Sequence, residues 1–487
     1  MSDNSPVGKP IPIDIIEESL YEVRRKIYPR SVSGLFARWR FILVFATQLL
    51  FYGLPWVDWN GRQAVLFDLI QRKFYIFGIV LWPQDVIYLT LLLILSALAL
   101  FLFTAIAGRL FCGYACPQTV YTEIFMWIER KVEGDRFARI RLDGEEWPWS
   151  LRKWRLKITK HFLWLLIAFW TGFTFIGYFT PITTLGSALI HLSLGPWQTF
   201  WLCFYSFATW GNAGFMREQV CKYMCPYARF QSVMVDKDTF LVTYDKVRGE
   251  PRGSRSKSAD QASLGLGDCV DCSCSICVQV CPTGIDIRDG LQYMCIGCGA
   301  CIDACDQVME KVDYPKGLIR YTTERAIEDR ESNQSAIKHI LRPRVLIYTA
   351  LLTVLTSIFL ISLVTRNPLR VDVMRDRGAL AREVDGVRIE NIYRIQIMNA
   401  SENNMNVQVK ATGLEDLRIL DSRGQVITEI EVAPSSNLLM PIKVSTTTGV
   451  NEPGNYPIHF DVVGHELSGN EMITRKRDEK SSFIIPR

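Results

Sequence analysis

The chain has 487 residues, 49% of them hydrophobic, and a net charge of +5. That length excludes a single ordinary domain, and apolar residues gathered into blocks with charges between them exclude an ordinary soluble protein. The small positive excess sits in loops beside those blocks and calls for no nucleic acid; no Walker or Rossmann motif supports nucleotide chemistry.

Residues 1–38 are polar and charged and lack the apolar core of a signal peptide, so insertion falls to the first span. Five apolar stretches follow: Arg40–Trp56, Val86–Gly108, His161–Phe179, Trp197–Phe215 and Val345–Val364. A span needs about 20 apolar residues for ~30 Å of hydrocarbon, and the first and fourth are the shortest or most polar. Basic residues precede the first span, and eleven lie between Arg109 and Lys160, whereas Thr180–Pro196 has none. The positive-inside rule then places the N-terminus and both basic loops in the cytoplasm and the C-terminal region outside. The loop Val57–Asp85 is external, with the run Phe74–Trp82 at the membrane interface. These features predict a multi-pass protein of a bacterial inner membrane, in contact with the lipid bilayer.

The expected organisation is a four-span membrane domain at 39–245, a Gly/Ser/Lys/Arg-rich linker at 246–267, a cytoplasmic dicluster ferredoxin-like domain at 268–343, a fifth span at 344–365 and a periplasmic domain at 366–487. In the last region, alternating segments separated by turn residues predict an all-β immunoglobulin-like sandwich. They are Arg388–Met398, Met405–Lys410, Ile427–Val432, Asn437–Val444, Tyr456–Val463 and Ser481–Ile485.

Fourteen cysteines stand against five histidines, and all lie between Cys112 and Cys305. Thiols paired at ligand spacing read as a reducing compartment and a metal protein, not a disulfide framework. Cys295, Cys298, Cys301 and Cys305 follow C-x2-C-x2-C-x3-C, the bacterial ferredoxin run whose fourth cysteine reaches the other cluster. Upstream lie Cys269, Cys272, Cys274, Cys277 and Cys281, the last followed by Pro282. The first ligand of an ordinary motif would fall at Asp271. Either Cys269, Cys272 and Cys277 bind, or Cys269, Cys274 and Cys277 bind. Zinc also takes C-x2-C pairs, but two consecutive four-cysteine sets, the first ending in Cys-Pro, favour two 4Fe-4S clusters.

Each pair of early spans ends in a CxxxCP motif, Cys112 to Pro117 and Cys221 to Pro226, forming a weak internal repeat. Four residues apart on a helix, the two sulfurs of a pair would share a face. A single such pair reads as helix-end packing; two copies at equivalent positions read as a soft-metal or catalytic site formed by Cys112, Cys116, Cys221 and Cys225. Met216, Met224 and His161 are at similar depth, and thiolate with thioether suits Cu(I) as a substrate ion. Cys203, alone in mid-span, reads as buried packing.

Three segments together carry a resemblance: Phe111-Cys-Gly-Tyr-Ala-Cys-Pro-Gln-Thr, Cys221-Lys-Tyr-Met-Cys-Pro-Tyr-Ala-Arg-Phe-Gln, and Cys281-Pro-Thr-Gly-Ile-Asp-Ile-Arg-Asp-Gly-Leu-Gln-Tyr-Met-Cys-Ile-Gly-Cys. The chain resembles the FixG/CcoG/RdxA family of cytochrome c oxidase accessory proteins over nearly its whole length. The resemblance implies a role in assembling the cbb-type haem–copper oxidase by reducing Cu(II) to Cu(I). It implies oxidase subunits or copper-transfer proteins as partners, with a cytoplasmic electron donor. It also implies one cluster on Cys281, Cys295, Cys298 and Cys301, and the other on Cys305 with three earlier cysteines. Two other functions fit the same residues: a membrane ferredoxin relaying electrons to or from the quinone pool, and an assembly scaffold with structural clusters.

Overall fold

A computed structural model describes residues 26–254, 265–270, 275–329, 340–376, 381–384, 387–427, 429–448, 452–468 and 471–486. Cys272, Cys274 and residues 255–264 of the expected linker fall outside these residues. The chain forms two compact units.

Among the described residues, four helices are long and apolar enough to cross a membrane: Leu35–Trp56, Pro83–Ala107, Leu151–Gly177 and Pro343–Val364. The fourth expected span differs. Its α-helical part, Pro196–Thr209, has 14 residues, a rise of about 21 Å against the ~30 Å a span requires. Past Thr209 the backbone widens into π-helical turns over Trp210–Met216, where Gly211, Asn212 and Gly214 weaken α-helix. The third helix starts at Leu151, ten residues before the expected His161.

The first unit comprises Met1–Phe45, Phe103–Ile167 and Ala208–Arg342. Its cysteine-rich part is closed by an antiparallel ladder in which Leu241 pairs with Thr322 and Tyr244 with Ile319. The folded region thus begins at Leu241, ahead of the expected boundary at 268. Between those strands lie a short helix at Ile276–Gln279 and a longer one at Ala300–Lys311. Asp303 of the longer helix accepts from the amides of Phe36 (3.2 Å) and Ala37 (2.8 Å), capping the first apolar helix.

A buried ion network braces the same unit. Glu129, on the helix Pro117–Glu133, meets Arg139 at 3.1 Å, Arg217 at 3.0 Å and Lys160 at 3.5 Å. Glu133 meets Lys157 and Lys160 at 2.9 and 2.8 Å. Burial alone would raise the Glu129 carboxyl, but Arg217, Lys160 and Arg139 outweigh it and hold the group at about 2.

The second unit comprises Ala46–Leu102, Ala168–Phe207 and Pro343–Arg487. Its C-terminal region is a sandwich of two antiparallel sheets. One runs Arg418–Leu420, Asn437–Thr447, Arg388–Asn399, Leu369–Arg375, with Arg382–Val384 also on the third strand. The other runs Ile430–Val432, Met405–Thr412, Gly454–Ser468, Glu471–Ile485. Inward residues of both sheets, among them Tyr393, Ile395, Val407, Phe460 and Phe483, are fully buried. The loop after the first helix forms a three-stranded meander, Val65–Asp68, Lys73–Ile76 and Ile79–Leu81. Val80 is fully buried there, and the apolar run expected at the membrane interface folds as sheet. Asp85 joins the meander to the sandwich through Arg370 (2.6 Å) and Arg366 (3.4 Å).

Candidate metal centres

Among the described residues, two cavities of the cysteine-rich part are walled by three or more cysteines each. The first, about 350 Å³, is walled by Cys281, Cys295, Cys298 and Cys301, with Cys277 at its edge. Gly297 and Gly299 take φ of 66° and 71°, and a Cβ on Gly299 would come within 2.7 Å of Phe36. Those glycines bend the loop so that Cys295 and Cys298 face one space while Cys301 enters from the following helix. The second cavity, about 410 Å³, is walled by Cys269, Cys277 and Cys305. Cys301 and Cys305 are one helical turn, about 6 Å, apart along the axis, so a single helix presents one thiol to each cavity.

Burial pushes the thiols of Cys295 and Cys305 up to about 12, that of Cys277 to about 11, and that of Cys301 well above its usual value. Without metal these thiols are protonated, and binding would release protons. Among the described residues, no three His, Cys, Asp or Glu side chains converge on a point where one ion could sit. A zinc ion needs four ligands within about 2.3 Å of a single centre. Thiols spread around a cavity wall fit a cubane, in which each sulfur meets a different iron.

The CxxxCP motifs depart from the expected continuous helices. Cys112 sits in the single turn Leu110–Tyr114, but Cys116 is extended (φ −62°, ψ 127°) and precedes the helix Pro117–Glu133. Cys221 lies in the wide turn Val220–Met224, and Cys225 is extended (φ −81°, ψ 110°) before the helix Pro226–Met234. The reason is proline, whose ring drives the preceding residue out of the helical region. The sulfurs are therefore not stacked on one helix face. The four thiols are near enough to act on one another electrostatically, without three of them converging on one point. Burial raises Cys112 to about 12, with Cys116, Cys221 and Cys225 adding to the shift; Cys221 rises to about 11, with contributions from Cys116 and Cys225.

The other proposed ligands are not brought to this group. Met224 is 58% exposed. His161 stacks on Phe215 and lines a separate cavity of about 880 Å³ with Glu129, Lys160 and Arg217, and among the described residues no cysteine borders it. Both were expected from depth alone, which says nothing about the direction a side chain takes. Cys203, expected to be buried, is exposed on its helix.

Where the first CxxxCP motif meets the cysteine-rich loop, packing is close. A Cβ on Gly113 would come within 2.8 Å of the Ile296 carbonyl, 3.0 Å of the Gly297 carbonyl and 3.1 Å of the Cys298 Cα. The Tyr114 hydroxyl donates to the Cys298 carbonyl at 3.2 Å, and Cys112 packs against the buried cluster that contains Ile296 and Cys298. Arg109 donates to the carbonyls of Tyr293, Cys295 and Ala228. Sequence reading missed Gly113, Tyr114 and Arg109. A glycine between the two cysteines was the one available signal, and Arg109 read as a loop charge flanking a span.

Comparison with known proteins agrees with this geometry. Residues 216–324 match a family model described as a 4Fe-4S dicluster domain, residues 89–133 one described as a 4Fe-4S binding domain, and residues 359–486 the IG-like fold at the C-terminus of FixG. The chain is 35% identical to nitrogen fixation protein FixG of Rhizobium meliloti, over 93% of this chain and 92% of that one. It is 40% identical to protein RdxB of Cereibacter sphaeroides, over 90% and 92%, and 36% identical to RdxA of the same organism, over 89% and 92%. With matches of that extent, the cysteine-lined cavities, the apolar helices and the C-terminal sandwich belong together as one design: this chain is a membrane iron–sulfur protein of the FixG/RdxA family.

Proposed function

We propose that this protein reduces Cu(II) to Cu(I) for assembly of the copper centre of a cbb-type cytochrome c oxidase. Cys281, Cys295, Cys298 and Cys301 would hold one 4Fe-4S cluster; Cys269, Cys277, Cys305 and either Cys272 or Cys274 would hold the other. Bound there, the clusters supply single electrons, the kind that Cu(II) consumes on becoming Cu(I). Cys112, Cys116, Cys221 and Cys225 would receive the substrate ion, since soft thiol ligands favour Cu(I) over Cu(II). Five spans, the fourth continued past Thr209 by the wide turns Trp210–Met216, a cytoplasmic N-terminus and a periplasmic sandwich complete the reading. A cytoplasmic donor would supply electrons, and copper-transfer proteins or oxidase subunits would take the product.

The observation that carries the reading is the contact of Gly113 and Tyr114 with the Ile296–Cys298 backbone. It leaves no layer of side chains between the first CxxxCP motif and the ferredoxin-type loop. The test is anaerobic. The purified protein is reduced, Cu(II) is added, and cluster absorbance is followed beside a Cu(I)-specific chelator. Reoxidation in step with Cu(I) appearance is expected, and a Cys116→Ser/Cys225→Ser variant should lose copper reduction with its cluster spectrum intact. Clusters that stay reduced in the presence of Cu(II) would sink the proposal.

The cavity beside His161 supports a second reading, a membrane ferredoxin exchanging electrons with the quinone pool. It combines aromatic walls from Trp164 and Phe215 with the buried ion network of Glu129. Reduction of the clusters by a quinol in membranes would favour that reading.

A further inference from the structure

Arg109 is 8% exposed, and its guanidinium is spent on three main-chain carbonyls. Two belong to the ferredoxin-type loop, at Tyr293 and Cys295, and the third, Ala228, lies three residues beyond Cys225. Among the described residues no carboxylate lies within ion-pair distance of it. The other buried arginines of this unit are neutralised: Arg40 pairs with Glu123, and both Arg139 and Arg217 pair with Glu129.

A buried cation without an opposite charge is strongly disfavoured. Carbonyl dipoles satisfy its donors, but they do not cancel its charge. The nearby groups able to carry negative charge are thiols. Arg109 acts electrostatically on Cys295, at the first cavity, and on Cys112 and Cys221, one from each CxxxCP motif. Those thiols become anionic when they ligate metal. The backbone is equally close, since a Cβ on Gly297 would stand 3.4 Å from the Arg109 carbonyl. Arg40 is the natural contrast. It acts on Cys298, but Glu123 acts there in the opposite sense.

We propose that Arg109 is a positioning residue whose uncompensated charge lies between the Cys295 cluster site and the CxxxCP thiols and raises the reduction potential of the cluster held there. This rests on the proposed reading that 4Fe-4S clusters occupy the two cavities. Cluster potential follows net charge and the local field, and a fixed cation favours the more negative, reduced state. The cluster nearer the CxxxCP thiols thereby becomes the better electron acceptor of the two. Among the described residues Arg109 does not border the cavity of Cys269, Cys277 and Cys305, and the arginine that does, Arg288, is paired with Asp286 at 2.6 Å, so the cluster held there gains no comparable field. Electrons entering the pair would then settle on the side that faces the thiols.

The test is a redox titration of the full-length protein in detergent, followed by electron paramagnetic resonance, with iron and sulfide content measured beside it. Arg109→Gln should move one of the two cluster transitions to lower potential and leave the other in place. Arg109→Lys, which keeps the charge, should restore most of that shift; loss of hydrogen bonds alone would leave Lys and Gln alike. Should Arg109→Gln fail to fold, Leu291→Glu decides. Leu291 is 62% exposed and, with Arg109 and Cys295, lines a further cavity of about 700 Å³ beside the first cluster site, so a carboxylate there should lower the same transition by a smaller amount. Full iron content with both transitions unmoved in Arg109→Gln, or in Leu291→Glu where that variant decides, would overturn the inference. A wild-type protein with no iron–sulfur signal would instead overturn the underlying reading of the cavities.

Discussion

The two units of this chain are held together by different physics. The sandwich has a continuous apolar core in which Tyr393, Ile395, Phe460 and Phe483 are fully buried. The cysteine-rich unit buries charges and thiols instead: Glu129, Glu133, Arg139 and Arg217 on one side, and seven cysteines around two cavities on the other. An apolar core is complete as soon as the chain folds. A cavity walled by protonated thiols forfeits the contacts a filled core would make, so its stability awaits the metal.

Removing the metal is the strongest way to break that comparison. Oxidative loss of iron should open the cysteine-rich unit, with protease cleavage appearing between Leu241 and Thr322, while the sandwich stays protected. Equal protection of both units in the iron-free protein would mean that the thiol cavities hold without their clusters. The converse variant, Phe460→Ala, should cost the sandwich about 3–5 kcal/mol. It should leave the visible cluster spectrum unchanged, a separation that thermal melts followed at the two signals would reveal.

The charged half of the cysteine-rich unit makes a prediction of similar size. Glu129→Ala leaves Arg139, Arg217 and Lys160 without their shared carboxylate, and breaking a buried pair in this way costs about 3–5 kcal/mol. The pH dependence has a definite sign. The Glu129 carboxyl is depressed from 4.5 to about 2 in the folded protein. Its contribution is therefore fully present above the ordinary carboxylate range and is lost as pH falls through the folded value. Melting of the cysteine-rich unit should become acid-sensitive between those limits in the wild type, and less so in Glu129→Gln. Parallel acid profiles for the two proteins would show that the network does not bear on stability.

These differences also explain what could be read from the sequence. Alternation at period two marks Arg388–Asn399 and Met405–Thr412 because one face of each strand enters an apolar core. The same rule failed on Glu471–Ile485, where only the last residues were expected as strand. The run Thr474–Lys480 is almost all charged, yet it pairs in register with Gly454–Ser468 over its whole length. Backbone pairing, not burial, makes that strand. The start of the third apolar helix at Leu151 was hidden for a related reason. Lys153, Lys157 and Lys160 look like solvated loop charges, but Lys153 donates to the main-chain carbonyls of Asp143 and Glu145, and Lys157 and Lys160 pair with Glu133 and Glu129 of another helix. The cysteine spacings were legible because ligand geometry is local. The approach of Gly113 to Ile296 joins residues far apart in the chain, and no spacing rule reports it.

That approach gives the smallest and most specific prediction. Gly113→Ala adds one methyl group against two carbonyl oxygens and a Cα at 2.8–3.1 Å. These are backbone atoms, so the strain cannot be relieved by a side-chain rotation. Overpacking of this kind costs about 1–3 kcal/mol, less than either core variant. Its functional effect should exceed its effect on stability, because the displaced loop carries Cys295 and Cys298 while the turn that moves with it carries Cys112. Copper reduction by the dithionite-reduced protein should slow, with cluster content and the sandwich melt unchanged. An alanine variant that reduces copper at the wild-type rate would show that close contact between the CxxxCP turn and the ferredoxin-type loop is structural only, and would remove the observation on which the path from clusters to copper rests.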